Sequence, residues 1–236
     1  MRPNNSTCQQ RPRRTRTIII GDVHGCSREL EALLEKSRFD PARDVVYFLG
    51  DIINRGPDSK GVYQQLSAIG GRSVLGNHEY RLLWELSAKG GESRYIRRVR
   101  DNFGELFPEF MNEVLSWPSF IETDEFILVH GGVVPDKALE ESDPFSLTSI
   151  RTWDRVNSCL GTAEDAPWFD YYRESKVVVF GHWAALNGVT RENVIGIDTG
   201  CVYGKRLTAL VLPEKEWVSV PAESVYCSIG RTKVRG

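Results

Sequence analysis

Short β-branched apolar runs, each ending at a glycine and followed by leucines at helical spacing, set the rhythm of this chain from residue 17. Thr17–Ile20 predicts a buried strand, and Leu30, Leu33 and Leu34 place a helix from about Ser27. Val45–Leu49 predicts a second strand, with a helix from about Asp58 carrying Val62, Leu66 and Ile69 on one stripe. Arg72–Leu75 predicts a third strand, and the helix after Gly76–His78 carries Leu82, Leu83 and Leu86. Residues 91–117 predict less regular helices that would act as a cap. Beyond Pro118, Phe120–Ile121, Phe126–Val129 and Val177–Phe180 read as strands. Val194–Ile197, Leu207–Leu212 and Trp217–Val220 read as a closing antiparallel set. Residues 133–172, with Pro135, Pro144, Gly161 and Pro167, predict a loop-rich stretch. No internal repeat, low-complexity segment or domain boundary interrupts the pattern.

The apolar runs end in short glycine-containing segments that hold all four histidines: Gly21-Asp22-Val23-His24-Gly25, Gly76-Asn77-His78-Glu79, His130-Gly131-Gly132 and Gly181-His182-Trp183. Gly50-Asp51-Ile52-Ile53-Asn54-Arg55-Gly56 has the same form without a histidine. Each segment falls at the carboxyl end of a strand, where open α/β sheets bind ligands. Pooled, Asp22, His24, Asp51, Asn77, His78, His130 and His182 make an oxygen and nitrogen donor set. Such a set suits borderline transition metals rather than calcium alone.

Length and composition set the bounds. A chain of 236 residues with 41% hydrophobic and 26% charged positions suits one globular domain with ample core. Its formal charge of -2 hides a split. Residues 1–16 carry Arg2, Arg11, Arg13, Arg14 and Arg16 with no acid, and residues 228–236 add Arg231, Lys233 and Arg235. Without those cations, residues 17–227 hold 22 basic against 32 acidic side chains. A negative body suits a cation-loaded hydrolase better than a nucleic-acid groove. The expected organisation is a basic, disordered arm (1–16), one domain (17–227) and a basic tail (228–236). Five cysteines, scattered and without CxxC spacing, argue for a reducing, cytoplasmic setting. No apolar run approaches the ~18–20 residues that span a bilayer, and the amino terminus has no secretory h-region.

A two-metal phosphoester site needs one carboxylate able to bridge, separate ligands for each ion and water placed for in-line attack. Asp22 and His24, two apart on an extended loop, can grip one ion. Asp51 can reach both ions, Asn77 adds a neutral oxygen, and His130 and His182 arrive from the second half. His78 can act as general acid for the leaving oxygen, or be a ligand or a helix-start residue. Arg55 can fork onto phosphate oxygens. Arg155, in Thr152-Trp153-Asp154-Arg155, is a second candidate clamp that spacing ranks scarcely above Arg151. Trp183 can stack on a base or line a wall.

GDVHG, GDIINRG, GNHE, HGG and GHW, in this order over about residues 17–212, resemble the calcineurin-like metallophosphoesterases. They sit nearest the branch of serine/threonine phosphoprotein phosphatases and symmetrical diadenosine tetraphosphate hydrolases. The resemblance implies an α/β fold, a four-layer sandwich of two mixed β-sheets flanked by helices. It implies a dinuclear centre of manganese, iron or zinc, with Asp22, His24 and Asp51 on one ion and Asp51, Asn77, His130 and His182 on the other. His78 becomes the proton donor, and Arg55 and Arg155 the phosphate clamps. Gly181-His182-Trp183 and Ile197-Asp198-Thr199-Gly200-Cys201 look most like the diadenosine tetraphosphate hydrolases. Asn54 stands where the protein phosphatases carry an aspartate. Against the diadenosine tetraphosphate hydrolases, the stretch from 130 to 182 is short, as in compact broad-specificity phosphatases. The expected activity is symmetrical cleavage of dinucleoside tetraphosphate (Ap4A) to two nucleoside diphosphates. The alternative is a serine/threonine protein phosphatase or broad phosphomonoesterase using the same dimetal site. A catalytically dead metal-binding module fits less well, since it needs neither His78 nor Arg55. The expected partner is a nucleotide or phosphorylated substrate, with no membrane. Nucleic acid enters only as nucleotide-capped RNA or through the basic arm.

Overall fold

Ile18, Ile19 and Ile20 are all fully buried, as a strand covered on both faces requires. The computed structural model describes residues 16–88 and 92–228. In chain order its elements are β1 (Arg16–Ile20), α1 (Ser27–Lys36), β2 (Asp44–Phe48), α2 (Ser59–Ala68), β3 (Arg72–Ser73) and α3 (Asn77–Ala88). Helices α4 (Arg94–Phe103) and α5 (Phe107–Val114) follow, then β4 (Phe120–Glu122), β5 (Phe126–Val129), α6 (Pro144–Ser149), β6 (Trp153–Asp154) and β7 (Cys159–Leu160). The last strands are β8 (Val177–Phe180), β9 (Val189–Thr190), β10 (Val194–Gly196), β11 (Arg206–Leu212) and β12 (Glu216–Pro221).

Two mixed sheets stack face to face. The first has the order β12-β11-β1-β2-β3, the second β4-β5-β8-β10-β9. In the first, β1, β2 and β3 run parallel while β11 and β12 close antiparallel. In the second, β5, β8 and β10 run parallel, with β4 and β9 antiparallel at the edges. Ile19, Tyr47 and Leu210 from one sheet meet Leu128, Val179 and Ile195 from the other in a shared apolar layer. The opposite face of the first sheet packs Ile18, Phe48 and Ala209 against α1, α2, α4 and α5. The opposite face of the second is covered more thinly, by α6, the β6–β7 hairpin and a single turn around the buried Trp168.

Two expectations change. Val194–Ile197 does not join a closing antiparallel set: β10 lies parallel to β8 in the second sheet, whereas β11 and β12 extend the first. A short apolar run pairs equally well in either sheet, and only packing decides. Arg16 belongs to the fold rather than to the arm. Its guanidinium grips the Asp44 carboxylate at 3.0 and 2.6 Å and donates to the Ser37 and Arg38 carbonyls. The rest of the arm and residues 229–236 lie outside the described residues.

Candidate metal centre

The carboxyl ends of β1, β2, β3, β5 and β8 converge, and each delivers one motif. Asp22 and His24 follow β1, Asp51 follows β2, Asn77 follows β3 and opens α3, His130 follows β5, and His182 follows β8. The loops are laced by their backbones: His24 donates N–H to the Asp51 carbonyl at 2.8 Å and Gly25 to Ile52 at 2.9 Å. Five of the site residues adopt positive φ, namely His24 (46°), Asp51 (49°), Asn54 (65°), Arg55 (68°) and His182 (64°). Such left-handed turns persist only where the surroundings enforce them.

One enforcer is Glu79, to which sequence reasoning gave no role. Its carboxylate, fully buried, accepts backbone N–H groups of Asp51 (2.9 Å), Ile52 (3.1 Å), Ile53 (3.3 Å) and Gly76 (3.1 Å). The signal was present as the acid closing GNHE. Glycine matters here mainly for the approach of loop to loop. A Cβ on Gly181 would stand 2.1 Å from Asp22 Oδ1.

The donor atoms crowd together in a way that suits a cation. His130 donates Nδ1–H to the Leu49 carbonyl at 2.6 Å, which leaves Nε2 as a bare lone pair. That lone pair faces Asn77 Oδ1 at 3.1 Å and Asp51 Oδ1 at 3.5 Å, both of them acceptors. His24 takes the same tautomer, with Nδ1–H going to Ile53 O at 2.9 Å; its Nε2 stands 3.3 Å from Asp51 Oδ2 and accepts from the Arg55 guanidinium. His182 Nδ1 lies 3.0 Å from Asn77 Oδ1, and the His182 backbone N–H donates to the Asp22 carboxylate. Asp51 takes part in two compact groups of donors, one with His24 and His78, the other with Asp22 and His130. The residues therefore fit a pair of ions sharing Asp51.

Electrostatics agree. Burial, reinforced by Asp198 and Asp51, pushes the Asp22 carboxyl well above its ordinary range. Burial raises Asp51 to about 7, and burial with the Asp51 charge raises Glu79 to about 7. The imidazoles move the other way, His130 to about 4 and His24, His78 and His182 well below normal, all chiefly through burial. Neutral imidazoles beside carboxylates that resist ionising are what a cation would convert to a stable set. Asp198, beyond β10, is a further buried acid here that sequence reasoning quoted without assigning it a role.

Around this centre, His78 packs edge-on to His24, with ring centroids 4.9 Å apart. The Tyr95 hydroxyl donates to the His78 carbonyl at 2.8 Å, lies 3.4 Å from His78 Nδ1, and accepts from Asn54 Nδ2 at 2.8 Å. Asn54 thus reaches His78 through Tyr95 rather than directly. Arg55 donates to His24 Nε2 at 2.7 Å and lies over the Tyr203 ring. The two candidate second clamps separate. Arg151 donates to the His182 carbonyl at 3.1 Å, whereas Arg155 lies over Tyr171 on a different cavity of about 580 Å³. Arg155 is therefore not brought to the centre. Trp183 packs on Phe169 as a wall residue.

The calcineurin-like phosphoesterase family model matches residues 15–186. A protein of Vibrio campbellii named symmetrical bis(5'-nucleosyl)-tetraphosphatase is 29% identical, over 85% of this chain and 96% of its own. One of Chromohalobacter salexigens with the same name is 30% identical, over 88% and 98%. The Vibrio alignment runs 267 positions, more than this whole chain, so that relative carries residues this one lacks. A solved structure named "putative diadenosine tetraphosphatase" superposes with a TM-score of 0.78 at 30% identity, covering 88% of this chain and 94% of that one. A yeast serine/threonine phosphatase, 14% identical with a TM-score of 0.52, shares the fold.

Proposed function

This chain belongs to the calcineurin-like phosphoesterases and is a metal-dependent phosphoester hydrolase, and from that premise we propose that it cleaves dinucleoside tetraphosphate symmetrically. One water adds across the central anhydride of Ap4A, and two molecules of ADP leave. The observation that carries the reading is the likeness to relatives named for that reaction over nearly their full length.

Two divalent ions, manganese foremost with iron or zinc as alternatives, would supply Lewis-acid activation of water and neutralise phosphate charge. Asp22, His24 and Asp51 would hold one, and Asp51, Asn77, His130 and His182 the other. The chain's own groups do the rest. His78, neutral in the free site, gives a proton to the leaving phosphate oxygen once the negative substrate phosphates favour its imidazolium, its backbone held by Tyr95, which Asn54 supports. Arg55, backed by Tyr203, and Arg151, anchored on His182, hold non-bridging oxygens. Arg151 takes the role first expected of Arg155. A cytoplasmic setting accords with the free thiols of the described residues and with the lack, among them, of a helix able to cross a membrane.

Manganese-loaded protein should be given Ap4A, a phosphothreonine peptide and an aryl phosphate side by side. Two equivalents of ADP at a far higher kcat/KM than the other substrates are expected. ATP plus AMP as products, or faster peptide turnover, would overturn the assignment.

A further inference from the structure

Two residues past His24 the chain places Cys26 at the head of α1, and Glu29 follows in the first turn. Cys201 comes from the loop beyond Asp198, in the same core between the first sheet and its helices. Their exposures are 0% for Cys26, 2% for Glu29 and 1% for Cys201. Both sulfurs and a Glu29 carboxylate oxygen lie within 4.8 Å of one another.

Glu29 is an unusual core residue. Its Oε1 accepts the Glu223 N–H and the Tyr226 hydroxyl, each at 2.9 Å. Its Oε2 is buried with no hydrogen-bond partner. Among the described residues no lysine, arginine or histidine pairs with it. A buried carboxylate with neither a cation nor a full set of donors is costly, and folds retain such a group where something else neutralises it. The sulfurs have few partners beyond each other: Cys26 and Cys201 share a thiol hydrogen bond, and Cys26 has a weak contact to the His24 carbonyl at 3.9 Å.

We propose that Cys26, Glu29 and Cys201 form a third cation site, taking one thiophilic divalent ion of the zinc class. Two sulfurs and one carboxylate oxygen suit a borderline-soft ion, and they leave one tetrahedral position for a further donor. The catalytic centre, built of oxygen and nitrogen alone, has a different preference. An ion here joins the head of α1, continuous with the loop bearing Asp22 and His24, to the Cys201 loop. Through Glu29 it also holds the segment 222–228, whose Tyr226 and Cys227 N–H groups meet the Val202 carbonyl at 3.1 and 3.0 Å. The inference is independent of the substrate.

Cobalt(II) reads this site directly, because only a thiolate ligand gives an intense sulfur-to-cobalt charge-transfer band. Protein stripped with chelator and saturated with manganese should develop that band on cobalt titration, saturating at one equivalent and abolished by zinc. Cys201→Ser should lose it, and Glu29→Gln should weaken cobalt binding at least tenfold. Cys159→Ser, which removes an exposed thiol, and Asp51→Asn, which disables the dimetal centre, should retain it. Wild-type protein with no band would overturn the proposal. So would a band surviving in the Cys26→Ser/Cys201→Ser double variant, or a thiol count showing these two cysteines joined in a disulfide. The wild-type titration decides even if a variant fails to fold.

Discussion

Two arginines four residues apart, Arg151 and Arg155, show what a single position can and cannot announce. Sequence spacing offers either as a phosphate clamp. In space, Arg151 anchors on the His182 carbonyl while Arg155 covers Tyr171 elsewhere. A lost charge-assisted hydrogen bond to phosphate is worth about 1.5–3 kcal/mol, roughly a 10- to 100-fold loss in rate. Arg151→Ala should therefore cut kcat/KM by about that factor and Arg155→Ala should not; equal losses from both would refute the assignment. Glu79 makes the complementary case. Gln would turn an amide N–H₂ toward two of the four backbone donors that now share a carboxylate. Glu79→Gln should weaken manganese binding by about 10- to 100-fold and lower stability by roughly 1–3 kcal/mol, read by metal titration and thermal melting. Unchanged metal affinity would mean the Asp51 loop holds its shape unaided. The clustering of the candidate ligands was legible because histidine, aspartate and glycine keep recognisable company in sequence. The groups that position them were not, since Tyr95 and Arg151 declare themselves only by whom they touch.

Among elements, strand ends were easy to read and sheet membership was not. An apolar run stopping at Gly21, Gly50 or Gly181 marks where a strand delivers its loop, and the structure puts a motif at each. That β10 joins β8, while β11 crosses back beside β1, depends on contacts between residues far apart in the chain. Residues 133–172 read as loop, and in space they supply only α6, a small hairpin and isolated turns over the second sheet. The closest approach between elements is testable. Gly181 follows β8 directly, donates its N–H to the His130 carbonyl at 2.8 Å and leaves no room for a methyl beside Asp22. Gly181→Ala must displace either the Asp22 carboxylate or the strand end that presents His182. Overpacking of this kind costs about 1–3 kcal/mol, and a displacement of about 1 Å at reacting groups costs on the order of 100-fold in rate. A folded variant with a metal equivalent lost and turnover down by about that factor is expected. Full metal content with wild-type turnover would show that the loops yield more easily than their contacts suggest.

For the molecule as a whole, metal binding and folding should be linked through pH, and the sign can be worked out from the buried groups. Asp22, Asp51, Glu79 and Asp198 all have carboxyls raised by burial, with Asp51 and Glu79 at about 7. In an unfolded chain such groups ionise near 4. Their contribution to the stability of metal-free protein is therefore complete below about 4 and lost as pH rises through the folded values. The four imidazoles act oppositely. Lowered in the fold, they penalise it at pH values where the unfolded chain binds protons, and that penalty fades as pH rises to about 6.5. Below about 6.5 the two sets oppose each other; above it the carboxyls act alone. Chelated protein should accordingly lose Tm between about pH 6.5 and 8, whereas bound manganese, by compensating the ionised carboxylates, removes that loss. The rise in Tm on adding manganese should grow across the same window. A metal-independent fall in Tm, or a manganese increment that stays constant from pH 6.5 to 8, would mean that these acids do not carry the coupling and that the ions sit elsewhere.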